Sequence, residues 1–297
     1  MADSPLSPTA QITRAKQFAV AASGWRACML AACLLLAAGQ ASAERPTLAI
    51  IVDDLGFRWV EDQAVLDLDR RISVAIIPNA PLARRMAEQA ERQQRTVLVH
   101  LPLTQGPALA CDAPLCPQRE WSPERVRQHL DWAFEQVPGA VGLNNHQGSH
   151  FTADVAATRR LLEGLKLFSS ARGAAPFVID SRTTPRSHLA ELAESSGFRT
   201  ARRDVFLDHD LRPEAMELAW QTAIRIARNR GRAVVIAHPH PESIEFLQRA
   251  LAQIDDSGIE LVPITDILGA GRPPPARFGH PAASVAYDSS PMRPSGP

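Results

Sequence analysis

One tyrosine stands among 297 residues, aromatic side chains of all kinds make up 5%, and 32 Lys+Arg cancel 32 Asp+Glu to leave no net charge. A chain without net charge lacks the bulk basic field that nucleic-acid binding rests on. A single Tyr and five Trp offer no stacking platform for single strands. Cysteine is scarce: there are four, and Cys28 and Cys33 both fall in an N-terminal apolar segment. That segment, Ala27–Ala38, has 12 residues, short of the roughly 20 a spanning helix needs. Hydrophobic residues at 45% and charged residues at 22% are otherwise ordinary for a globular chain.

The segment fits an export signal. Arg14, Lys16 and Arg26 precede it, and Gln40-Ala41-Ser42-Ala43 follows as a small-residue cleavage pattern. The expectation is a signal peptide over residues 1–43, a mature chain starting near Glu44, and a periplasmic or secreted protein with no stable membrane span after cleavage. An uncleaved N-terminal anchor is the rival. Leu30-Ala31-Ala32-Cys33 has a lipoprotein look, but most of the apolar run follows its cysteine, which is the wrong order. Export agrees with the two remaining cysteines, Cys111 and Cys116, which are close enough for a disulfide in an oxidising compartment. The bridge would contribute about 2 kcal/mol. A two-cysteine metal site is the alternative, without the second pair that zinc sites of this kind use.

Beyond the signal, strand-like and helix-like segments alternate. Strands are expected at Leu48–Val52, Ile72–Ile77, Thr96–Leu101, Ala140–Leu143, Phe177–Ile179, Val205–Leu207, Ala233–Ala237 and Ile259–Val262. Helices are expected to open at Ser122-Pro123-Glu124, at Thr152-Ala153-Asp154 with a run Val155–Phe168, at Arg212-Pro213-Glu214 through Arg228, and at Pro241-Glu242-Ser243 through Ile254. Gly231 and Gly258 stop the last two. Alternation of this kind predicts an α/β fold with mainly parallel strands, and its compactness predicts one barrel-like domain over residues 44–268. Thr104–Trp121 reads as a long loop, and the Pro-rich tail 269–297 as disordered.

Chemistry gathers after the strands. Leu48-Ala49-Ile50-Ile51-Val52 runs directly into Asp53-Asp54. Adjacent carboxylates repel unless a cation or a shared proton intervenes. Other runs end in His100-Leu101-Pro102, in Asn144-Asn145-His146-Gln147-Gly148-Ser149-His150, in Asp180-Ser181-Arg182-Thr183 and in His238-Pro239-His240-Pro241. A parallel sheet would collect all of these on one rim. Asp with two or three His suits Zn²⁺ and similar ions, and a spare Asp and His suit general base and acid roles in ester or amide hydrolysis. His129, among Arg125, Arg127 and Asp131, reads as a surface residue, and His188 as a helix-start residue. His209 reads as a loop residue, and the Arg70-Arg71 and Arg202-Arg203 pairs as solvated or ion-paired.

Together these segments resemble the divergent polysaccharide deacetylase family, related to the NodB-type deacetylases, over residues 46–268. The resemblance implies a distorted or partial (β/α) barrel, a divalent metal with zinc favoured, and a glycan substrate. It implies Asp53 as base, Asp54 as metal ligand, His100 and His146 as histidine ligands, and His238 as acid. Related enzymes take both histidines from one His-x-x-x-His motif, which His100-Leu101-Pro102-Leu103-Thr104 lacks. His146 and His150 have that spacing, so Asp54/His100/His146, favoured by strand order, competes with Asp54/His146/His150. Asn145, Asp180, Ser181, His150 and His240 are candidates for substrate contact or alternate ligation. Arg182 either orients Asp53 or binds an anionic group, with a salt bridge to Asp180 or Asp208 as the rival.

Three functions compete. The first is an exported hydrolase removing acetyl groups from envelope or exported glycans. The second is an inactive carbohydrate-binding or envelope-assembly partner on the same barrel. The third is a metallo-amidase acting on peptide cross-links.

Overall fold

The computed structural model describes residues 45–104 and 115–268. Among these residues nine parallel strands form one sheet: β1 (Thr47–Leu55), β2 (Ser73–Ile76), β3 (Val97–Leu103), β4 (Ala140–Gln147), β5 (Phe177–Asp180), β6 (Thr200–Arg202), β7 (Val205–Phe206), β8 (Arg232–Ala237) and β9 (Glu260–Leu261). Their order is β6-β5-β4-β3-β2-β1-β8-β7, with β9 beside the N-terminal end of β1. The two ends of this order, β6 and β7, do not pair, so the barrel is distorted and open. Two residues cross the opening: Arg203 N–H donates to the Asp180 carbonyl and Asp204 N–H to the Val234 carbonyl, each at 2.9 Å.

The strands are apolar on both faces because both faces are covered. Leu48, Ile50 and Val52 of β1 join the large outer core under the helices. Ala49 and Ile51 join a smaller inner core with Leu98, Phe177, Ile179 and Ile236. This is the period of two that a pleated strand imposes. Space inside is tight: a Cβ on Gly142 would lie 2.3 Å from the Phe177 ring, so only glycine fits there.

The helices are α1 (Trp59–Leu66), α2 (Ala83–Arg92), α3 (Pro123–Gln136), α4 (Ser149–Thr152), α5 (Val155–Arg172), α6 (Leu189–Ser195), α7 (Pro213–Arg230), α8 (Pro241–Leu251) and α9 (Ile264–Ile267). Their ends follow local chemistry. Ser122 Oγ accepts from Arg125 N–H at 3.3 Å ahead of Pro123, the Asp154 carboxylate accepts from Ala156 and Ala157, and Gly173 and Gly231 close α5 and α7 in the left-handed conformation. Among the described residues no helix is long and apolar enough to cross a membrane.

The structure departs from the sequence expectations in several places. β1 and β4 run on to Leu55 and Gln147, so Asp53, Asp54, Asn144 and His146 belong to strands rather than to the loops after them. β6 has only three residues, too few for a periodic signal. α8 ends at Leu251, before a short 3-10 turn at Asp255–Ser257. Residues 1–43 of the expected signal peptide, Cys111 of the expected disulfide and the tail 269–297 lie outside the described residues; Cys116 is buried.

His129 is not on the surface. It shares the buried face of α3 with Val126, Leu130 and Ala133, at helical spacing, and lies between Trp121 and Trp132 with ring centroids 5.5 and 5.1 Å away. Its Nε2 is buried without a hydrogen bond, and burial lowers its pKa to about 4. The unfolded chain, with an ordinary histidine near 6.5, therefore takes up the proton first. Stability falls as pH drops through 6.5 and levels off below about 4. At pH near 4.5 this costs about 2 kcal/mol relative to neutral pH. His129→Phe keeps the ring packing and has no proton to gain. Urea unfolding of wild type and variant at both pH values should show a larger acid loss for wild type by that amount.

Candidate active site

Strand parity would send the side chains of Asp53 and Asp54 to opposite faces of the sheet. Asp54 escapes this with a left-handed backbone (φ 61°), at an irregularity in the β1–β2 pairing between Val52 and Leu55. Asp is among the few residues that tolerate this conformation. Both carboxylates consequently reach His100: its Nε2 is 3.7 Å from Asp53 Oδ2 and 3.1 Å from Asp54 Oδ1.

The β3–β4 register brings in the second histidine. His100 pairs with Asn144, and Pro102 with His146, so Asn144 and His146, two residues apart, share one face of β4. His146 Nδ1 comes within 2.8 Å of Asp54 Oδ1 and 3.1 Å of His100 Nε2. Asp54 Oδ1 is buried and makes no well-formed hydrogen bond despite these neighbours. The three potential ligand atoms lie within 4.8 Å of one another. One carboxylate oxygen and two imidazole nitrogens converging on a point fit a divalent cation of the zinc type.

The electrostatics also call for positive charge. Burial would raise the Asp54 pKa, but His100 and His146 hold it far below the usual carboxylate range. Burial would lower the His100 pKa, but Asp53 and then Asp54 push it up to about 9. Asp53, wholly buried, is raised by desolvation against the pull of His100 and His238. A carboxylate held in this way is suited to accepting a proton.

His238 follows β8 on the other side of β1. Its Nδ1 is 3.0 Å from Asp208 Oδ1, and its backbone N–H donates to Asp208 Oδ2 at 2.5 Å. Ser243 Oγ donates to the same Oδ2 at 2.7 Å. Burial opposes protonation of His238, but Asp208, Asp53 and Asp54 together raise its pKa. Its Nε2 faces the cluster, 4.0 Å from Asp54 Oδ2. A cleft of about 360 Å³ opens over these groups, walled by Phe206 and Thr183. A larger groove of about 720 Å³ between α7 and α8 holds no comparable cluster, so chemistry rather than size picks out the site.

The sequence profile of the divergent polysaccharide deacetylases matches residues 50–268, which includes every group described above. The chain belongs to that family. Among its relatives, an uncharacterized protein of Haemophilus influenzae is 35% identical over 216 residues, 72% of this chain and 74% of that one. Escherichia coli YibQ, also uncharacterized, is 31% identical over 229 residues, 74% of this chain and 67% of that one. The crystal structure of an uncharacterized protein from Agrobacterium tumefaciens shares the fold with a TM-score of 0.69 at 20% identity, covering 76% of this chain and 91% of that one.

In this deacetylase-family barrel only one of the two competing ligand sets assembles. Asp54, His100 and His146 meet, whereas His150 lies exposed on α4, away from the cluster. Other residues take different places from those expected. Arg182 does not orient Asp53: it is exposed with a left-handed backbone (φ 48°), and it is Asn144 Nδ2 that donates to Asp53 Oδ1 at 2.8 Å. Asn145 lines the cleft and is anchored to backbone, accepting from Ser181 N–H at 2.9 Å and donating to the Gln147 carbonyl at 2.8 Å. Asp180 braces its own loop, accepting from Arg182 N–H at 2.8 Å. Arg203 is no solvated charge either; it donates to the carbonyls of Ser181 and Arg182, each at 2.7 Å. Ser181 lines the cleft, and His240 stands 6.2 Å from His238, ring to ring, at the start of α8.

Two residues that sequence reasoning passed over matter here. Asp208 ends the Val205-Phe206-Leu207 run just as Asp180 ends its strand, and that position was the available signal. Asn144 is identical in type to its neighbour Asn145, and only the register separates their roles. Asp208→Ala leaves the Ser243 hydroxyl and the His238 N–H without their buried acceptor. Thermal unfolding should show a loss of about 2 kcal/mol.

Proposed function

We propose that this protein is an exported, zinc-dependent hydrolase that removes acetyl groups from a glycan of the cell envelope or an exported polysaccharide. The observation that carries the reading is the orphaned Asp54 Oδ1 flanked by His100 Nε2 and His146 Nδ1, with a buried carboxylate beside it and an Asp-paired histidine opposite. Family membership supports a glycan as the substrate class.

Asp54, His100 and His146 would hold a divalent ion, which would supply Lewis acidity toward an ester or amide carbonyl and toward water. The chain's own residues do the rest. Asp53, desolvated and raised in pKa, takes the proton of the attacking water. His238 delivers a proton to the departing sugar oxygen or nitrogen, and Asp208 fixes its ring and favours its charged form. Phe206, 4.9 Å from the His238 ring, helps shield that side of the cleft from solvent. Export accounts for the residues 1–43 as a cleaved signal and for a Cys111–Cys116 bridge.

Elemental mass spectrometry of the purified protein after zinc reconstitution should give about one zinc per chain. His146→Ala should lose it and His150→Ala should keep it. Acetate release from acetylated glycans should fall by roughly 10²-fold or more in Asp53→Asn. A wild-type protein that binds no metal and releases no acetate would reject the hydrolase in favour of a glycan-binding role for the same barrel. Release of amino acids instead of acetate would identify an amidase. Intact mass of the exported form should correspond to a chain beginning at Glu44.

A further inference from the structure

Asn144 sits at the centre of the buried polar network, 0% exposed, and bonds to both halves of the chemistry. Its Nδ2 donates to Asp53 Oδ1 at 2.8 Å and to Ser181 Oγ at 3.2 Å. Its Oδ1 lies 2.8 Å from His100 Nδ1. These contacts fix which atom is which. An ionised carboxylate only accepts, so the amide NH₂ faces Asp53. The carbonyl oxygen therefore faces His100, and a carbonyl oxygen only accepts, so Nδ1 of that ring carries the hydrogen. Nε2, the atom that meets Asp54 and His146, is then the nitrogen left to give its lone pair to a metal ion in place of a proton.

We infer that Asn144 is a positioning residue with two separable functions: its carbonyl sets His100 in the metal-binding tautomer, and its amide NH₂ holds the Asp53 carboxylate in its proton-accepting orientation. The inference rests on the metal-hydrolase reading for its consequence and on the hydrogen-bond geometry for its substance. A metal ligand oriented through its far nitrogen commonly loses affinity when that partner is removed. The usual partner of that nitrogen is a carboxylate or a backbone carbonyl. Here a side-chain amide takes the place, and an amide, unlike either, has a donor left over for the base.

The two functions come apart by substitution. Asn144→Ala removes both. Asn144→Asp keeps an acceptor for His100 Nδ1–H but removes the donor to Asp53 and sets a second carboxylate against it. Zinc affinity, measured by competition with a chromogenic chelator, should weaken roughly 10–100-fold in Asn144→Ala and stay within about threefold of wild type in Asn144→Asp, a difference of under about 1 kcal/mol. Hydrolysis of 4-nitrophenyl acetate by the zinc-loaded protein should fall about tenfold or more in Asn144→Asp through kcat, with KM little changed.

A third readout needs neither metal nor turnover. In nitrogen-15 spectra, the Nδ1–H of His100 should give a slowly exchanging signal in wild type and Asn144→Asp, and none in Asn144→Ala. Asn144→Ser serves where the alanine variant does not fold, and should also lose the signal. Wild-type zinc affinity in a folded Asn144→Ala would overturn the inference. So would an Asn144→Asp variant that loses zinc to the same extent as Asn144→Ala, or a wild type whose His100 carries its hydrogen on Nε2 alone. A wild type that binds no zinc yet shows the protected Nδ1–H defeats the hydrolase reading and leaves the positioning role of Asn144 standing.

Discussion

Two neighbouring carboxylates at the end of a buried strand are the constraint on which the site depends. Asp53 is 2% exposed, and Asp54 is its direct neighbour with a buried oxygen in want of a partner. Ionised together in that environment, they need a positive charge close by. The fold provides for this twice. His100 is pressed toward its charged form by both acids, and the Asp54/His100/His146 triangle can hold a divalent ion in place of that proton. Removing either carboxylate would relieve the repulsion and dismantle the site in the same step.

The parallel sheet turns this local demand into a site. Every strand ends on the same rim, so Asp53, His100, Asn144 and Ser181 are neighbours in space although 128 positions separate the first from the last. Register then decides which side chains meet. The in-register β3–β4 ladder sets His100 beside Asn144 and carries His146 onto the same face, and a slip of one residue would turn both β4 groups away. On the opposite side, Asp208 secures His238 with two contacts and is itself held by Ser243, so the two flanks of the cleft are built from separate hydrogen-bonded units. Between the edge strands β6 and β7, Arg203 bonds to β5 and Asp204 to β8, and Arg203 reaches back to fasten the Ser181–Arg182 carbonyls beneath the cleft.

Much of this was legible in the sequence because burial writes strong patterns. The double-faced apolar strands, the proline-led helix starts at Pro123, Pro213 and Pro241, and the gathering of polar residues toward the strand ends survive in the structure. What escaped depended on contacts made far along the chain. β6 is too short to show a period, and Thr200–Arg202 is a strand only because β5 lies beside it. His129 was obscured by charged neighbours at positions facing away, although Val126, Leu130 and Ala133 marked its face as buried. The separate duties of Asn144 and Asn145 follow from pleat and register, which a pair of identical letters does not display. Arg182 drew attention as a charge near acids, but its left-handed backbone turns the chain there and its side chain remains exposed.

The left-handed backbone at Asp54 has an evolutionary consequence. Few residues accept that conformation, and asparagine is foremost among them. A single nucleotide change converts an aspartate codon into an asparagine codon. Such a change keeps the bend in β1, keeps the volume and removes the charge at the convergence of the ligands. The residue most exposed to selection for chemistry is therefore also one whose loss the backbone tolerates best. A lineage released from selection for the proposed reaction would need only this one step to lose it and keep its shape, leaving a barrel with an intact cleft free to be recruited for binding.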